Sequence, residues 1–217
     1  MIEIRNISKT YKKGNYSLIA LADIDFDIIR GDFCTIIGPS GAGKSTLLHA
    51  IGGLIHPDNG KILYKGQNIY DYNLRSLDLY RKKNIGFMFQ QFHLMPYLSV
   101  IDNIKLSCYN KKQITNIDYY LEKCSLTAMK NKFPSELSVG EKQRTAFIRA
   151  IVSSPELLLA DEPTGNLDPG NSSILISLIK EFHEKDGTVM IVTHDSQFSR
   201  FANKKIYLDK GKLVTGQ

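Results

Sequence analysis

The sequence predicts an α/β fold with a mainly parallel sheet, and two observations support that prediction. Three segments, 33–38, 157–161 and 188–194, are nearly continuous in apolar residues, which is typical of parallel strands buried on both faces. Helix-forming segments at 44–51 and 172–185 adjoin them. Strands that alternate with helices along a chain indicate α/β architecture.

The N-terminal third has a different pattern, which predicts an antiparallel β-subdomain. Ile2 and Ile4 alternate with polar residues, as do the apolar residues of 24–28. A period of two is expected of half-buried antiparallel strands. Segment 60–69 reads as a further short strand pair bounded by glycines.

The stretch from about 100 to 135 is polar and helix-forming, and Pro134 closes it. Apolar and aromatic residues within 117–124 are spaced for one face of a helix. We therefore expect a small helical subdomain, over approximately 95–150, inserted into a single domain that spans 1–217.

Composition limits the function classes. The net charge of +6 can favour anionic partners, but the basic clusters are not interleaved with aromatics as in nucleic-acid-binding surfaces. We expect solvated surface there and no nucleic-acid partner.

Glu3 and Arg5 interrupt any leader peptide at the start. No apolar run approaches the roughly 20 residues of a spanning helix, so work at a membrane would need another chain to cross it.

Segment 38–45 fits the phosphate-binding pattern G-x-x-x-x-G-K-[ST] in full. It follows an apolar strand and opens a helix, which is the context that the pattern requires. Glycines let backbone N–H groups approach phosphate oxygens, and the helix adds its positive N-terminal end. Lys44 supplies a full charge to the β- and γ-phosphates, and the Ser45 hydroxyl can ligate Mg²⁺. Nucleotide binding follows.

A second motif narrows the class of nucleotide-binding protein. The apolar strand 157–161 ends in two carboxylates, Asp161 and Glu162. Asp161 stands where phosphate-loop proteins place a Mg²⁺-associated carboxylate. Glu162, one residue further, is suited to act as a general base that polarises the attacking water.

With these motifs in place, the chain resembles the ATPase subunits of ABC transporters over nearly its whole length. The distinguishing segment is 137–141, Leu-Ser-Val-Gly-Glu, which resembles the family's signature motif and leads into a helix. The resemblance implies that Ser138 and Gly140 bind the γ-phosphate of an ATP held by a second copy. A hydroxyl, an N–H and a helix N-terminus together make such an anion site, so ATP would join a homodimer.

Four further positions match the family one at a time. Gln90 matches the glutamine that reaches Mg²⁺ and the attacking water, and His194 the histidine that contacts the γ-phosphate. Asp168 matches an aspartate that communicates across the dimer. Tyr11 matches the aromatic residue that stacks on adenine, although Tyr16 lies near it and a core role for Tyr11 stays open.

The resemblance thus implies an ATP hydrolase that uses ATP and Mg²⁺. The implied catalytic residues are Lys44, Gln90, Glu162 and His194, and the implied Mg²⁺ ligands are Ser45, Gln90 and Asp161. The implied ATP contacts are Tyr11, Gly38, Pro39, Ser40, Gly41, Ala42, Gly43, Lys44, Ser45, Thr46, Ser138, Gly140 and Asp168.

Two positions depart from the family's signature motif. Val139 replaces a glycine, and Glu141 stands where glutamine is frequent. A β-branched side chain would be strained if residue 139 needed a positive φ. Our hypothesis is that Ser138 and Gly140 suffice for the phosphate contact.

Segments 91–100 and 161–168 resemble the corresponding segments of one branch of the family, which contains the lipoprotein-release, macrolide-export and cell-division ATPases. The resemblance implies a subunit that powers an exporter or a lipoprotein-release complex by ATP-driven dimerisation. It would bind an integral membrane permease at the cytoplasmic face of the inner or plasma membrane. The alternative is a cell-division type ATPase that signals through a membrane partner without moving a substrate. Phe92 and Leu94 suit either a groove for the membrane subunit or ordinary core packing.

Overall fold

The computed structural model describes residues 1–14 and 16–214. The strands are β1 (Ile2–Lys13), β2 (Tyr16–Ile28), β3 (Phe33–Ile37), β4 (Asn59–Tyr64), β5 (Gln67–Asn68), β6 (Ile85–Met88), β7 (Leu157–Asp161), β8 (Thr188–Val192), β9 (Lys204–Asp209) and β10 (Lys212–Val214). The helices are α1 (Lys44–Ile51), α2 (Leu74–Asn84), α3 (Val100–Lys105), α4 (Lys111–Thr115), α5 (Ile117–Lys123), α6 (Val139–Ile151), α7 (Pro169–Glu184) and α8 (Ser196–Phe201). Short 3₁₀ turns cover Ile69–Asp71, Thr127–Met129 and Pro134–Glu136.

The strands form two sheets. The first has the order β2-β1-β4-β5 and is antiparallel throughout. The second has the order β10-β9-β3-β8-β7-β6 and is parallel except for the β9–β10 hairpin. This mixed α/β architecture confirms the fold class that the sequence predicts.

The central strands of the second sheet are apolar because both of their faces are covered. On β7, Leu157 and Leu159 pack into one core cluster, with α1 and the antiparallel sheet. Leu158 and Ala160 point to the other face and pack with α6 and α7. The continuous apolar run thus serves two cores at once.

The strand order places the predicted site residues at one edge of the sheet. Strands β3, β8 and β7 are neighbours and run parallel. Their carboxyl ends are followed by the phosphate loop, by His194 and by Glu162, respectively. Ligands of open α/β sheets bind at this edge.

Several boundaries differ from the prediction, each for a local reason. Helix α7 begins at Pro169, three residues earlier than expected, because Asp168 caps it through its side chain. Strand β8 ends at Val192, before His194. Helix α2 and the edge strand β6 have no counterpart in the sequence prediction.

The helices α3 to α6 occupy the stretch expected to be helical. Ile117, Leu121 and Cys124 are fully buried, as their spacing predicts. A separate helical subdomain over approximately 95–150 remains a prediction. Within residues 1–14 and 16–214, the longest and most apolar helices still fall short of what crossing a bilayer requires.

Candidate functional site

The phosphate loop runs from β3 into α1, and close packing explains its glycines. A Cβ on Gly38 would lie 1.9 Å from the Leu208 carbonyl oxygen. Gly43 has a φ of +99°, and a Cβ there would lie 2.0 Å from the Ala20 carbonyl oxygen. The loop is therefore held against β2 on one side and β9 on the other, at distances that only glycine allows.

Lys44 lies inside this loop with only 8% of its surface exposed. Its Nζ donates hydrogen bonds to the carbonyl oxygens of Gly38 at 2.7 Å and Pro39 at 2.9 Å. Gly43 is the N-cap of α1, and no described side chain caps this helix. The first-turn N–H groups and the ammonium thus concentrate positive charge suited to an anion.

The opposite wall of the site is acidic. Asp161, at the end of β7, is 6% exposed. Glu162 follows with a φ of +46°, and its N–H donates to the Val192 carbonyl oxygen at 2.9 Å. Its Oε1 lies 3.3 Å from Nε2 of His194. Burial raises the pKa of Glu162, and the electrostatic effects of the neighbouring His194 and Lys44 oppose this rise. The net raised pKa makes the carboxylate a stronger base than an exposed one.

An open cleft of about 630 Å³ brings most of the predicted residues together. Its lining consists of Tyr11, Leu18, Ala20, Ser40, Gly41, Ala42, Gly43, Lys44, Ser45, Thr46, Gln90, Asp161, Glu162, Gly165, Val192 and His194. Gly38 and Pro39 lie in the same loop but do not line the cleft.

The aromatic wall of the cleft comes from the β1–β2 hairpin. Tyr11 pairs in register with Leu18, and both line the cleft. Tyr11 is 40% exposed and Tyr16 is 85% exposed, so neither is a core residue. The sequence analysis did not identify Leu18 as a site residue. The signal would have been the register of the hairpin, which pairs Leu18 with Tyr11.

Three predicted residues, Ser138, Gly140 and Asp168, belong neither to the lining of the cleft nor to the phosphate loop. Ser138 caps α6 in a reciprocal capping box: its hydroxyl accepts from the Glu141 N–H at 3.3 Å, and the Glu141 carboxylate accepts from the Ser138 N–H at 2.7 Å. Val139 is the first helical residue of α6. The strain that a positive φ would impose on Val139 therefore does not arise.

A single side chain, Asn171, joins the starts of α6 and α7. Its Oδ1 accepts from Nη1 of Arg144 at 2.5 Å, and its Nδ2 donates to Oδ2 of Asp168 at 2.5 Å. A Cβ on Gly140 would lie 2.3 Å from the same Oδ1. Asn171 thus links the signature segment to Asp168, although neither lines the cleft.

Gln90 follows β6, and helices on both sides hold its segment. Phe89 lies 5.9 Å, centroid to centroid, from His49 of α1. Arg149 of α6 donates to the carbonyl oxygens of Phe92 at 2.7 Å and His93 at 2.6 Å. Sequence reasoning missed Arg149 and Asn171, because only the folded chain shows which loops they contact.

A glycine-rich loop with a buried lysine, opposite paired carboxylates at the edge of a parallel sheet, defines a phosphate-loop nucleoside triphosphatase. The comparisons with known proteins agree. The sequence profile of the ABC transporter family matches residues 21–165. The chain therefore belongs to the ABC transporter family, as its nucleotide-binding, ATP-hydrolysing cassette.

Relatives support the branch that the sequence resembles. The lipoprotein-releasing system ATP-binding protein LolD of Buchnera aphidicola is 39% identical over 201 residues, covering 90% of this chain and 88% of LolD. The macrolide export ATP-binding/permease protein MacB of Chlorobaculum tepidum is 38% identical over 218 residues. That match covers 99% of this chain but 34% of the longer MacB.

A solved structure is also similar. It is a dimeric post-hydrolysis state of the ATP-binding cassette MJ0796, a protein of Methanocaldococcus jannaschii, bound to ADP and Pi. The TM-score is 0.92 at 35% identity, and the match covers 100% of this chain and 98% of that one.

Proposed function

We propose that this chain hydrolyses ATP at a composite site between two copies and thereby powers an exporter or lipoprotein-release complex. The observation that carries the proposal is the separation of the predicted ATP contacts into two groups. One group lines the cleft, whereas Ser138 and Asp168 are exposed on a separate surface and the buried Gly140 lies between them, against Asn171. A second copy placed across the cleft would supply that surface to the bound nucleotide.

Within the cleft, ATP binding is assigned to the loop and the hairpin. Lys44 exchanges its bonds to the loop carbonyls for the β- and γ-phosphates, and the N-terminus of α1 stabilises the same charge. Tyr11 stacks on the adenine beside Leu18. Glu162 accepts a proton from the attacking water, and His194, 3.3 Å from it, holds the carboxylate toward the γ-phosphate.

The residues of the cleft fit Mg²⁺. Ser45, Gln90 and Asp161 all line it and all offer oxygen atoms. Mg²⁺ is bound in proteins through one or two carboxylates together with water and substrate phosphates. When bound, the ion would neutralise charge on the phosphates. Asp161 is the one carboxylate of this set, and its burial at the strand end fixes its position.

A groove beside Gln90 suits a segment of the membrane subunit. It has a volume of about 570 Å³, and its walls include Phe87, Phe89, Met95, Leu106 and Arg149. Met95 and Leu106 are exposed although they are apolar, which marks a contact surface. Phe92 and Leu94 do not line it. The chain would thus sit peripherally at the cytoplasmic face of the membrane, through its permease partner.

The dimer is tested with the Glu162→Gln variant, which should bind ATP, turn over very slowly and accumulate as a dimer. Light scattering after size exclusion should give a doubled mass with ATP and Mg²⁺, and the monomer mass with ADP. Adding Ser138→Asp, which keeps a good helix cap but sets a negative charge against the phosphate, should restore the monomer. A Glu162→Gln chain that stays monomeric with ATP would refute the composite site.

The membrane partner is tested by co-expressing this chain with a candidate permease, sought first among the neighbouring genes. Leu106→Asp should abolish copurification, because it replaces an exposed apolar side chain of the groove wall by a charge. Leu79→Asp is the matched control, since Leu79 is a comparably exposed leucine on another surface. Equal copurification of both variants would exclude the groove as the docking surface.

A further inference from the structure

Helix α6, which begins at the signature segment, carries three polar side chains that reach other functional loops. Arg149 holds the segment after Gln90. Arg144 holds Asn171 at the start of α7. The third is Gln143, whose Nε2 donates to the Pro163 carbonyl oxygen at 2.6 Å. The first two anchor segments around the site, whereas Gln143 reaches the residue next to the predicted base.

Burial of the Gln143 side chain is energetically unfavourable unless its polar groups are hydrogen-bonded. It is 2% exposed, and its Oε1 has no hydrogen-bond partner among the described residues. An unsatisfied amide oxygen costs free energy in the interior. An apolar side chain of the same length would fill this space without that cost. Among the described residues, the bond to Pro163 is the one hydrogen bond that the Gln143 side chain makes.

Glu162 depends on contacts of this kind, because its backbone is in an uncommon conformation. A positive φ of +46° is sparsely populated by residues other than glycine and persists only where the surroundings hold it. The Glu162 N–H is held by Val192 of β8, and the Glu162 carbonyl accepts from the Gly165 N–H at 3.1 Å. The hydrogen bond from Gln143 fixes the next peptide group along the chain. Three hydrogen bonds thus hold the backbone around Glu162, and this backbone sets the position from which the carboxylate extends.

We propose that Gln143 is a positioning residue for Glu162, through which the placement of α6 sets the geometry of the base. This inference rests on the proposed function, in which Ser138, at the start of α6, contacts the nucleotide of a second copy. Binding of that nucleotide would orient α6, and Gln143 would pass the orientation to Glu162 of its own chain. Each chain would then sense the partner's ATP through one buried hydrogen bond.

The test is Gln143→Met in the full chain, measured as steady-state hydrolysis of Mg²⁺-ATP. Methionine keeps the length and removes the donor. Loss of positioning should lower kcat by about 10- to 100-fold, since small misplacements of a reacting group have effects of that size. KM and the directly measured ATP affinity should change by less than about 2-fold, because Gln143 does not line the cleft.

Two controls separate positioning from a general loss of structure. Ile148→Val removes a buried methyl group from the same helix and leaves the Gln143 hydrogen bond in place. Its kcat should stay within about 2-fold of wild type. The second control uses single-turnover hydrolysis in a Glu162→Gln background. If Gln143 acts through the Glu162 carboxylate, Gln143→Met should add less than about a 2-fold loss there.

Three results would overturn the inference: an unchanged kcat in Gln143→Met, a fall in ATP affinity that matches the fall in kcat, or the full loss repeated in the Glu162→Gln background. These outcomes differ from failure of the proposed function, which would appear as a Glu162→Gln chain that does not dimerise with ATP.

Discussion

Replacing Gly43 by alanine should destabilise the free chain more than replacing Gly41 does, although both glycines have positive φ. The φ is +99° at Gly43 and +78° at Gly41. The two positions differ in their surroundings. A Cβ on Gly43 would lie 2.0 Å from the Ala20 carbonyl oxygen, whereas a Cβ on Gly41 would meet no atom of residues 1–14 or 16–214 within 4 Å.

The expected losses in the free energy of unfolding have two contributions, the positive φ of the backbone and the clash of the added Cβ. A left-handed backbone costs an L-residue about 1–2 kcal/mol, and this term applies at both sites. Overpacking against fixed backbone adds about 1–3 kcal/mol at Gly43 alone. We expect Gly41→Ala to lower the free energy of unfolding by about 1–2 kcal/mol and Gly43→Ala by about 2–5 kcal/mol. The gain from a stiffer unfolded chain is the same in both and cancels in the comparison.

Urea unfolding without nucleotide measures this difference, because neither variant is then influenced by phosphate binding. Both variants should keep the wild-type slope against urea, and the midpoint should fall further for Gly43→Ala. Equal losses at the two sites would refute the reasoning, since they would mean that the loop does not approach β2 as closely as the structure shows.

Three further predictions concern the helix cap, the adenine and the metal. The Ser138 N–H lowers the pKa of Glu141, so the cap contributes stability above the ordinary pKa of a glutamate and is lost as pH falls through the lower folded value. In urea unfolding from pH 6 to pH 3, the advantage of wild type over Glu141→Ala in the free energy of unfolding should therefore shrink, and a pH-independent gap would contradict this. Tyr11→Ala should weaken ATP binding by about 1–3 kcal/mol in calorimetry while Tyr11→Phe retains it, and an unchanged affinity in Tyr11→Ala would remove the stacking role. Asp161→Asn should bind ATP equally with Mg²⁺ and with a chelator, whereas a retained Mg²⁺ dependence would exclude Asp161 as a ligand.

The parts of the fold that carry contiguous motifs were predictable. Helix α1 has the bounds that the sequence predicts, because the glycine-rich loop fixes where the helix starts. Strand β6 was not predictable from its four residues, since a short apolar run that contains Gly86 has neither the length nor the alternation of a clear strand. Its assignment depends on pairing with β7, which is a contact distant in sequence.

The candidate site divides in the same way. The motifs predicted the residues that the cleft brings together, such as Lys44 and Glu162. The sequence analysis did not identify the residues that act through tertiary contacts. The sequence around a glutamine or an arginine in a helix does not indicate which distant residue it will contact. Gln143 lies 20 residues from Pro163, and only the packing of α6 against the sheet shows that they meet.

The most direct test of the composite site mixes two inactive variants. Lys44→Ala removes the phosphate-binding charge from the cleft, and Ser138→Asp repels the phosphate from the partner surface. Each variant alone should hydrolyse almost no ATP. In an equal mixture, a pair of the two different variants holds one complete site, so hydrolysis should recover well above that of either variant alone. A mixture no more active than its components would contradict a site shared between two copies.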